Sequence, residues 1–183
     1  RLWLQMFRDD RDDMHGVDAA ILMNPKVWEA SGHVSGFSDP LVECEKCKKR
    51  FRADHLDGLK KCPECEGVLG AVRQFNMMFK THAGATEDTS TIVYLRPETA
   101  GGIFTNFKNV VDSIHPKLPF GIAQIGKAFR NEIAPRDFIF RLRELSQMEV
   151  EYFVHPSNWE QAFEEWRKMM HLFAERVGLP QSM

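Results

Sequence analysis

Three features of this sequence predict a mixed fold of strands and helices. The stretch GKAFRNEIAPRDFIFRLRELSQMEVEYF (Gly126 to Phe153) reads as two strands and a turn, two later segments repeat apolar residues at helical spacing, and a Cys- and Lys-rich segment interrupts the first half. The 183 residues, 43% of them apolar, suit one domain of ordinary size with a small appendage.

Taken in order, LWLQMF (Leu2 to Phe7) reads as the last turns of a helix, followed by the charged run Arg8 to Asp13. GVDAAIL (Gly16 to Leu22) is strand-like, and Asn24-Pro25 has the cap and first-turn proline of a short helix through Trp28 and Ala30. SGHVSGFSDP is a loop up to Pro40. The composition divides the chain at residues 1–40, 41–70 and 71–183, the middle segment having little core of its own. RQFNMMFKT (Arg73 to Thr81) and TIVYL (Thr91 to Leu95) are strand candidates. A helix opening at Pro97 is expected from the 3.6-residue spacing of Ile103, Phe104, Phe107, Val110, Val111 and Ile114. A last helix, capped by Ser157 or Asn158, places Trp159, Ala162, Phe163, Trp166, Met170, Phe173 and Val177 on one face and ends at Gly178 and Pro180.

Charge excludes little: 24 basic and 26 acidic residues give a net charge of −2, so a nucleic-acid partner must be met by a local patch. No apolar run reaches the roughly 18 residues a bilayer span requires, and the N-terminus lacks the pattern of a signal peptide. A cytoplasmic protein without a membrane partner is expected.

All four cysteines fall in two pairs, CEKC (Cys44, Cys47) and CPEC (Cys62, Cys65). Two such turns brought together build the four-sulfur cage that zinc prefers, and a cage with no open corner is structural rather than catalytic. Two disulfides are the alternative, disfavoured in a cytosolic setting. Lys46, Lys48, Lys49, Arg50, Arg52, Lys60 and Lys61 surround the pairs and either meet phosphates or simply solvate the surface.

Alternation along the hairpin places Gln124, Gly126, Ala128, Arg130 and Glu132 on one face, and Ile125 and Phe129 on the other. On the second strand Arg141, Arg143, Leu145, Gln147, Glu149 and Glu151 share a face, opposite Leu142, Met148, Val150 and Tyr152. Arginines grip phosphates through charge-assisted bonds, and a glutamate accepts from an amine, so a nucleotide suits the charged face. A solvated sheet with ion pairs of Arg130 or Arg143 to Glu132 or Glu144, each worth about a few tenths of a kcal/mol, remains the other reading. Neither a P-loop nor a Rossmann glycine motif is present.

FRNE (Phe129 to Glu132) and the following RLREL resemble motif 2 of class II aminoacyl-tRNA synthetases. GVDAAIL, NPKVWEASGH, GFSDP, RFRADHL, LRPET, GIAQIGKAFRNEI and QMEVEYF resemble the dimeric glycyl-tRNA synthetase family over nearly the whole chain. The resemblance implies an α+β fold, a mainly antiparallel class II sheet backed by helices with the hairpin at its centre and a small zinc-binding insertion. It implies activation of glycine by ATP to glycyl-adenylate and transfer to tRNA. Arg130, Glu132, Arg141 and Arg143 are the implied catalytic residues, and Arg130, Asn131, Glu132, Phe140, Arg141, Leu142, Arg143, Glu144 and Leu145 the implied ATP-binding set, with magnesium accompanying ATP. Glycine falls to Arg52, Glu98, Leu145, Ser146, Gln147, Met148 and Glu149. The turn Ile133 to Phe140, with Arg136, faces the tRNA acceptor end, and GVDAAIL through Pro25 stands for motif 1, the family's dimer interface. Against the family pattern, Leu145 replaces the adenine-stacking aromatic and Gly101 replaces a glutamine. No segment matches motif 3, so the chain is expected to be a truncated core. A catalytically incomplete module that binds nucleotide or RNA is the second expectation.

Overall fold

A computed structural model of the protein describes residues 1–136 and 138–179. Its helices are α1 (Leu2–Leu4), which continues as a wider turn over Gln5–Asp9, α2 (Pro25–Ala30), α3 (His33–Gly36), α4 (Ala100–Ile114) and α5 (Trp159–Arg176). Its strands are β1 (Met14–Gly16), β2 (Leu22–Met23), β3 (Ser38–Glu43), β4 (Arg50–Arg52), β5 (Arg73–Asn76), β6 (Lys80–His82), β7 (Ile92–Leu95), β8 (Phe120–Phe129) and β9 (Glu144–Phe153). Among the described residues they form three three-stranded sheets, ordered β1-β8-β9, β2-β7-β6 and β4-β3-β5. The mixed architecture agrees with the sequence, while GVDAAIL splits between β1 and β2 instead of forming one strand. Pro180 lies outside the described residues.

The chain divides into two compact units. One comprises Arg1–Ala19, Gly102–Gly126 and the described residues from Gln147 on. Here β1 runs parallel to β8, pairing Met14 with Gly121 and Gly16 with Ala123. Both faces of this sheet are covered. Phe120 and Ile122 meet Ile103 and Val110 of α4 on one side, joined by Phe107 and Phe153. Ala123 meets Trp3, Met6, Phe7 and Met14 on the other, joined by Val150, Tyr152, Trp166 and Phe173. A strand covered on both sides need not alternate between core and solvent, and β8 departs from the expected pattern: Gln124 is 1% and Ala128 0% exposed, whereas Ile125 is 39% exposed. On α5, Trp166, Met169 and Phe173 are the residues turned to the core, while Trp159, Phe163 and Met170 are exposed although the helical stripe includes them. Arg11 stacks on the Trp166 ring at 4.9 Å and forks onto Asp13 at 2.9 and 2.6 Å. Tyr152 donates to the same carboxylate at 2.5 Å.

The other unit comprises Ala20–Gly101 and Lys127–Ser146. The side chain of Asn24 caps α2 by accepting from the Lys26 N–H, as Asn-Pro predicts. Around the fully buried Trp28, Met23 and Met78 form the core, flanked by Val27, Val34, Phe37 and Tyr94. β2 and β6 pair antiparallel with β7, and β3 pairs antiparallel with both β4 and β5. Among the described residues no helix is long and apolar enough to cross a membrane.

Candidate functional site: a charged pocket and a four-cysteine centre

β8 ends at Phe129 and β9 begins at Glu144, so the arginines and Glu132 of the hairpin stand beyond the regular strands rather than on alternating faces. The ladder persists for one step, with Arg130 N–H donating to the Arg143 carbonyl at 2.9 Å. It then breaks, because Glu132 N–H turns back to the Arg130 carbonyl at 2.7 Å and Asn131 N–H bonds to the Met77 carbonyl at 2.8 Å. The detour folds Glu132 inward, to 8% exposure.

Around Glu132 the geometry is specific. Arg143 forks onto its backbone carbonyl through Nε and Nη2 at 3.2 and 3.1 Å. Arg141 Nη1 lies 3.5 Å from its Oε2, yet that buried oxygen accepts no hydrogen bond among the described residues. A buried, ionisable acceptor without a donor is costly unless a partner arrives. Arg130 donates through Nε to the Pro97 carbonyl at 3.1 Å and covers the Phe37 ring at 5.6 Å, which fixes the base of its side chain. Among the described residues, ion pairing of Arg130 or Arg143 with Glu132 or Glu144 is not what forms: Arg141 approaches Glu132 and Lys127 pairs with Glu144 at 3.2 Å. At the turn, Arg136 and Arg141 bridge through their backbones, and Phe138, Ile139 and Phe140 are 89%, 70% and 88% exposed. Phe140 therefore points away from the charged cluster's interior, while Leu145 is half-buried, and Leu142 and Ser146 are exposed.

Glu98 precedes α4, where its Oε1 accepts from Gly101 N–H at 3.1 Å and lies 4.0 Å from His33 Nε2. A side chain at Gly101 would meet the Trp28 ring at 2.9 and 3.0 Å, so the space that a longer residue would take is filled by tryptophan. Arg52, on β4, pairs with Asp39 and holds Asp54 through Nε and Nη2 at 3.1 and 2.8 Å. These contacts raise its affinity for the proton further, the hydrogen bond to Asp54 first and then the charges of Asp39 and Asp54, against burial. Arg130, Glu132, Arg141 and Arg143 thus gather in one cluster, and Arg52 and Glu98 belong to the same unit. Gln147, Met148 and Glu149 lie on β9 in the other unit. Sequence reasoning gave His33 and Asp39 no role, although they lie in NPKVWEASGH and GFSDP, two of the segments that carry the family resemblance.

The four cysteines converge. Cys44 and Cys65 sulfurs lie 3.5 Å apart, Cys47 and Cys62 sulfurs 3.7 Å apart, and all four fall within 4.8 Å of one another. A tetrahedral ion with bonds of about 2.3 Å needs sulfurs about 3.8 Å apart, so the donor set fits zinc. The two pairs are built alike. Lys48 N–H bonds to the Cys44 carbonyl at 3.0 Å and Glu66 N–H to the Cys62 carbonyl at 2.9 Å, and both of these residues take the left-handed conformation at φ 58° and 57°. Each thus turns the chain four residues after a cysteine. Backbone N–H groups, Cys47's first, hold the Cys44 thiol down at about 6. Cys47 feels the Lys49 N–H, but burial and the neighbouring sulfurs prevail and push it up to about 12. Such crowding of thiols is relieved by a bound cation.

Comparison with known proteins agrees with this picture. Glycine–tRNA ligase of Treponema denticola is 54% identical over 183 residues, 98% of this chain and 41% of that protein. The glycine–tRNA ligase of Borreliella burgdorferi is 54% identical over 171 residues, 92% of this chain and 38% of that protein. The chain therefore spans about two fifths of the length of these curated relatives. Among solved structures, the RNA binding domain of threonyl-tRNA synthetase from Cryptosporidium parvum Iowa II superposes with a TM-score of 0.61 at 15% identity, covering 96% of this chain and 34% of that one. The putative threonyl-tRNA synthetase ThrRS-1 from Aeropyrum pernix gives 0.59 at 17% identity, covering 95% and 29%; at these identities the likeness is one of fold. Residues 79–183 match the family model of the tRNA synthetase class II core domain (G, H, P, S and T), and the chain belongs to that family.

Proposed function

We propose that this chain is part of a glycyl-tRNA synthetase and carries most of its glycine-activating site. The observation that carries the reading is Glu132, a buried carboxylate whose Oε2 accepts no hydrogen bond among the described residues although Arg141 lies 3.5 Å away, with Arg143 held on its backbone carbonyl. The adenine amino group of ATP is the donor it lacks. Arg130 holds the α-phosphate while a glycine carboxylate oxygen bonds to phosphorus and the bond to pyrophosphate breaks. Arg141 and Arg143 take the outer phosphates, where magnesium, when bound, neutralises further charge. Asn131, Leu142, Glu144 and Leu145 complete the nucleotide site, with Phe140 supplied from the turn. Leu145 lacks an aromatic face, so adenine binds with about 1 kcal/mol less stacking than a phenylalanine would give.

Glycine offers only a carboxylate and an ammonium group, and the family resemblance assigns Glu98 and Glu149 to the latter. The family resemblance adds Arg52, Ser146, Gln147 and Met148 to the residues for glycine. A ribose hydroxyl of the tRNA acceptor end then attacks the glycyl carbonyl, losing its proton as AMP departs, next to the exposed turn of Arg136 and Phe138. No protein nucleophile is needed, so the residues act by positioning and electrostatics. Cys44, Cys47, Cys62 and Cys65 hold structural zinc, which supplies folding energy to a segment poor in apolar residues. A homodimer through the motif 1 region and a cytoplasmic setting complete the proposal.

Pyrophosphate exchange into ATP with glycine and this polypeptide tests it. Glycine-dependent exchange that falls by at least about a hundredfold in Arg130→Ala is expected, from the usual worth of one preorganised charge contact. Exchange no greater than that of the Arg130→Ala chain would leave a module that binds nucleotide or RNA without completing the reaction.

A further inference from the structure

Arg52 is the last residue of β4, and antiparallel pairing sets it opposite Leu41 on β3. Asp39, two residues from Leu41 on the same strand, therefore shares the face of Arg52 and lies diagonally across from it, within reach of a long side chain. β3 is the middle strand of its sheet, and on its other side Asp39 lies opposite Phe75 of β5. Asp39 thus stands on a backbone paired from both sides and is 8% exposed. After Arg52 the chain winds into a single 3-10 turn, Ala53–His55, which brings Asp54 back onto the same guanidinium.

A guanidinium has five N–H groups. Nε and Nη2 of Arg52 fork onto the two oxygens of Asp54 at 3.1 and 2.8 Å, and Nη1 donates to Asp39 Oδ2. Two N–H groups, one on each terminal nitrogen, are left without a partner among the described residues, on a side chain that is 17% exposed. Two carboxylates are more than the charge of one arginine requires. Their excess negative charge works against an incoming anion, so what they supply is geometry, a planar fork held from two edges.

We propose that Asp39 and Asp54 are positioning residues that lock the Arg52 guanidinium so that its two remaining N–H groups are presented to the carboxylate of the amino acid substrate. The inference rests on the assignment of Arg52 to the glycine site. Glycine has no side chain to grip, so a guanidinium holds it through its carboxylate. One oxygen bonded to Arg52 leaves the other to attack phosphorus. Because the arginine is ordered on folding rather than on binding, the clamp is worth about two- to tenfold in affinity.

Equilibrium dialysis of radiolabelled glycine and, separately, of radiolabelled ATP against the 183-residue chain tests the idea. Asp39→Ala and Asp54→Ala are each expected to bind glycine about two- to tenfold more weakly than the parent, with ATP affinity unchanged. Asp54 is 44% exposed, which keeps a second variant available should Asp39→Ala fold poorly. Asp39→Asn keeps an acceptor for Nη1 and sheds the charge, so it is expected to bind glycine at least as tightly as the parent. On an Arg52→Ala chain neither alanine variant should weaken glycine further. Parental or tighter glycine binding by an alanine variant that folds, losses that add to that of Arg52→Ala, or an Asp39→Asn chain as weak as Asp39→Ala overturns the clamp while leaving the synthetase reading intact. Arg52→Ala at parental glycine affinity, or a folded parent that retains ATP but no glycine, overturns the assignment of Arg52 and the clamp with it.

Discussion

Gly67 sits where the two cysteine turns close on each other. A Cβ there would lie 2.7 Å from Lys46 Cβ, 3.0 Å from Cys44 Sγ and 3.3 Å from Cys65 Sγ. Carbon atoms prefer about 3.5 to 4.0 Å, so Gly67→Ala places a methyl roughly 1 Å too close to a backbone-anchored carbon. The neighbours have little room to give. Lys46 lies within the first cysteine turn, the sulfurs are metal ligands in the proposed site, and the Gly67 carbonyl is pinned by Cys62 N–H at 2.8 Å. Overpacking of this kind costs about 1 to 3 kcal/mol. Alanine recovers about 0.4 to 1 kcal/mol by restricting the unfolded chain. The net loss at the middle of these ranges, about 1.3 kcal/mol, weakens zinc binding roughly tenfold at 1.4 kcal/mol per factor of ten. Competition against a chromophoric chelator measures this, beside metal analysis showing about one zinc per parent chain. A Gly67→Ala chain with parental zinc affinity would refute the close packing. A Cys62→Ser chain that still holds one tightly bound zinc would refute the four-sulfur centre itself.

Two further outcomes follow from packing and titration. Gly101→Gln pushes a side chain into the Trp28 ring. Overpacking of about 1 to 3 kcal/mol less a helix-propensity gain of about 1 kcal/mol leaves a loss of up to about 2 kcal/mol and a melting temperature lower by up to roughly 8 °C; a rise in the melting temperature would show that Trp28 yields freely. Burial, then the bond to Asp13, pushes the Tyr152 hydroxyl up to about 12. A folded-state value above the unfolded value of about 10 contributes stability that is complete below pH 10 and lost as pH rises towards 12. Denaturant unfolding of Tyr152→Phe should therefore show a smaller loss between pH 9 and 11 than the parent, at a cost of about 1 kcal/mol near neutrality. Equal slopes would place the alkaline sensitivity elsewhere.

Much of the local structure was legible in the sequence. Asn24-Pro25 starts α2 because capping and a fixed proline φ are properties of two adjacent residues. The stripe of Ile103, Phe107 and Val110 makes α4 an amphipathic helix whatever its neighbours. The paired cysteines announced a cage because a CxxC turn is short enough to aim both sulfurs by itself, and the motif around FRNE identified the family through its wording.

The tertiary structure decided what depends on partners distant in the chain. Alternation could not say that Ile125 is exposed and Gln124 buried, because α4 covers one face of the sheet and α1 with α5 the other. Nor could it end β8 at Phe129. That break follows from the Met77 carbonyl capturing Asn131 N–H and from Glu132 folding back beneath Arg143. The parallel pairing of β1 with β8, the ion pairs joining Arg52 to Asp39 and Asp54, and the approach of His33 to Glu98 all join residues with no local rule between them. Periodicity and turn chemistry act over a few residues, and so the sequence alone determined the cap of α2, the helical stripe of α4, the cysteine pairs and the family, while SGHVSGFSDP, read as a loop, folds into α3 and the start of β3. Which charges meet, and which buried oxygen is left waiting for a donor, is set by long-range packing.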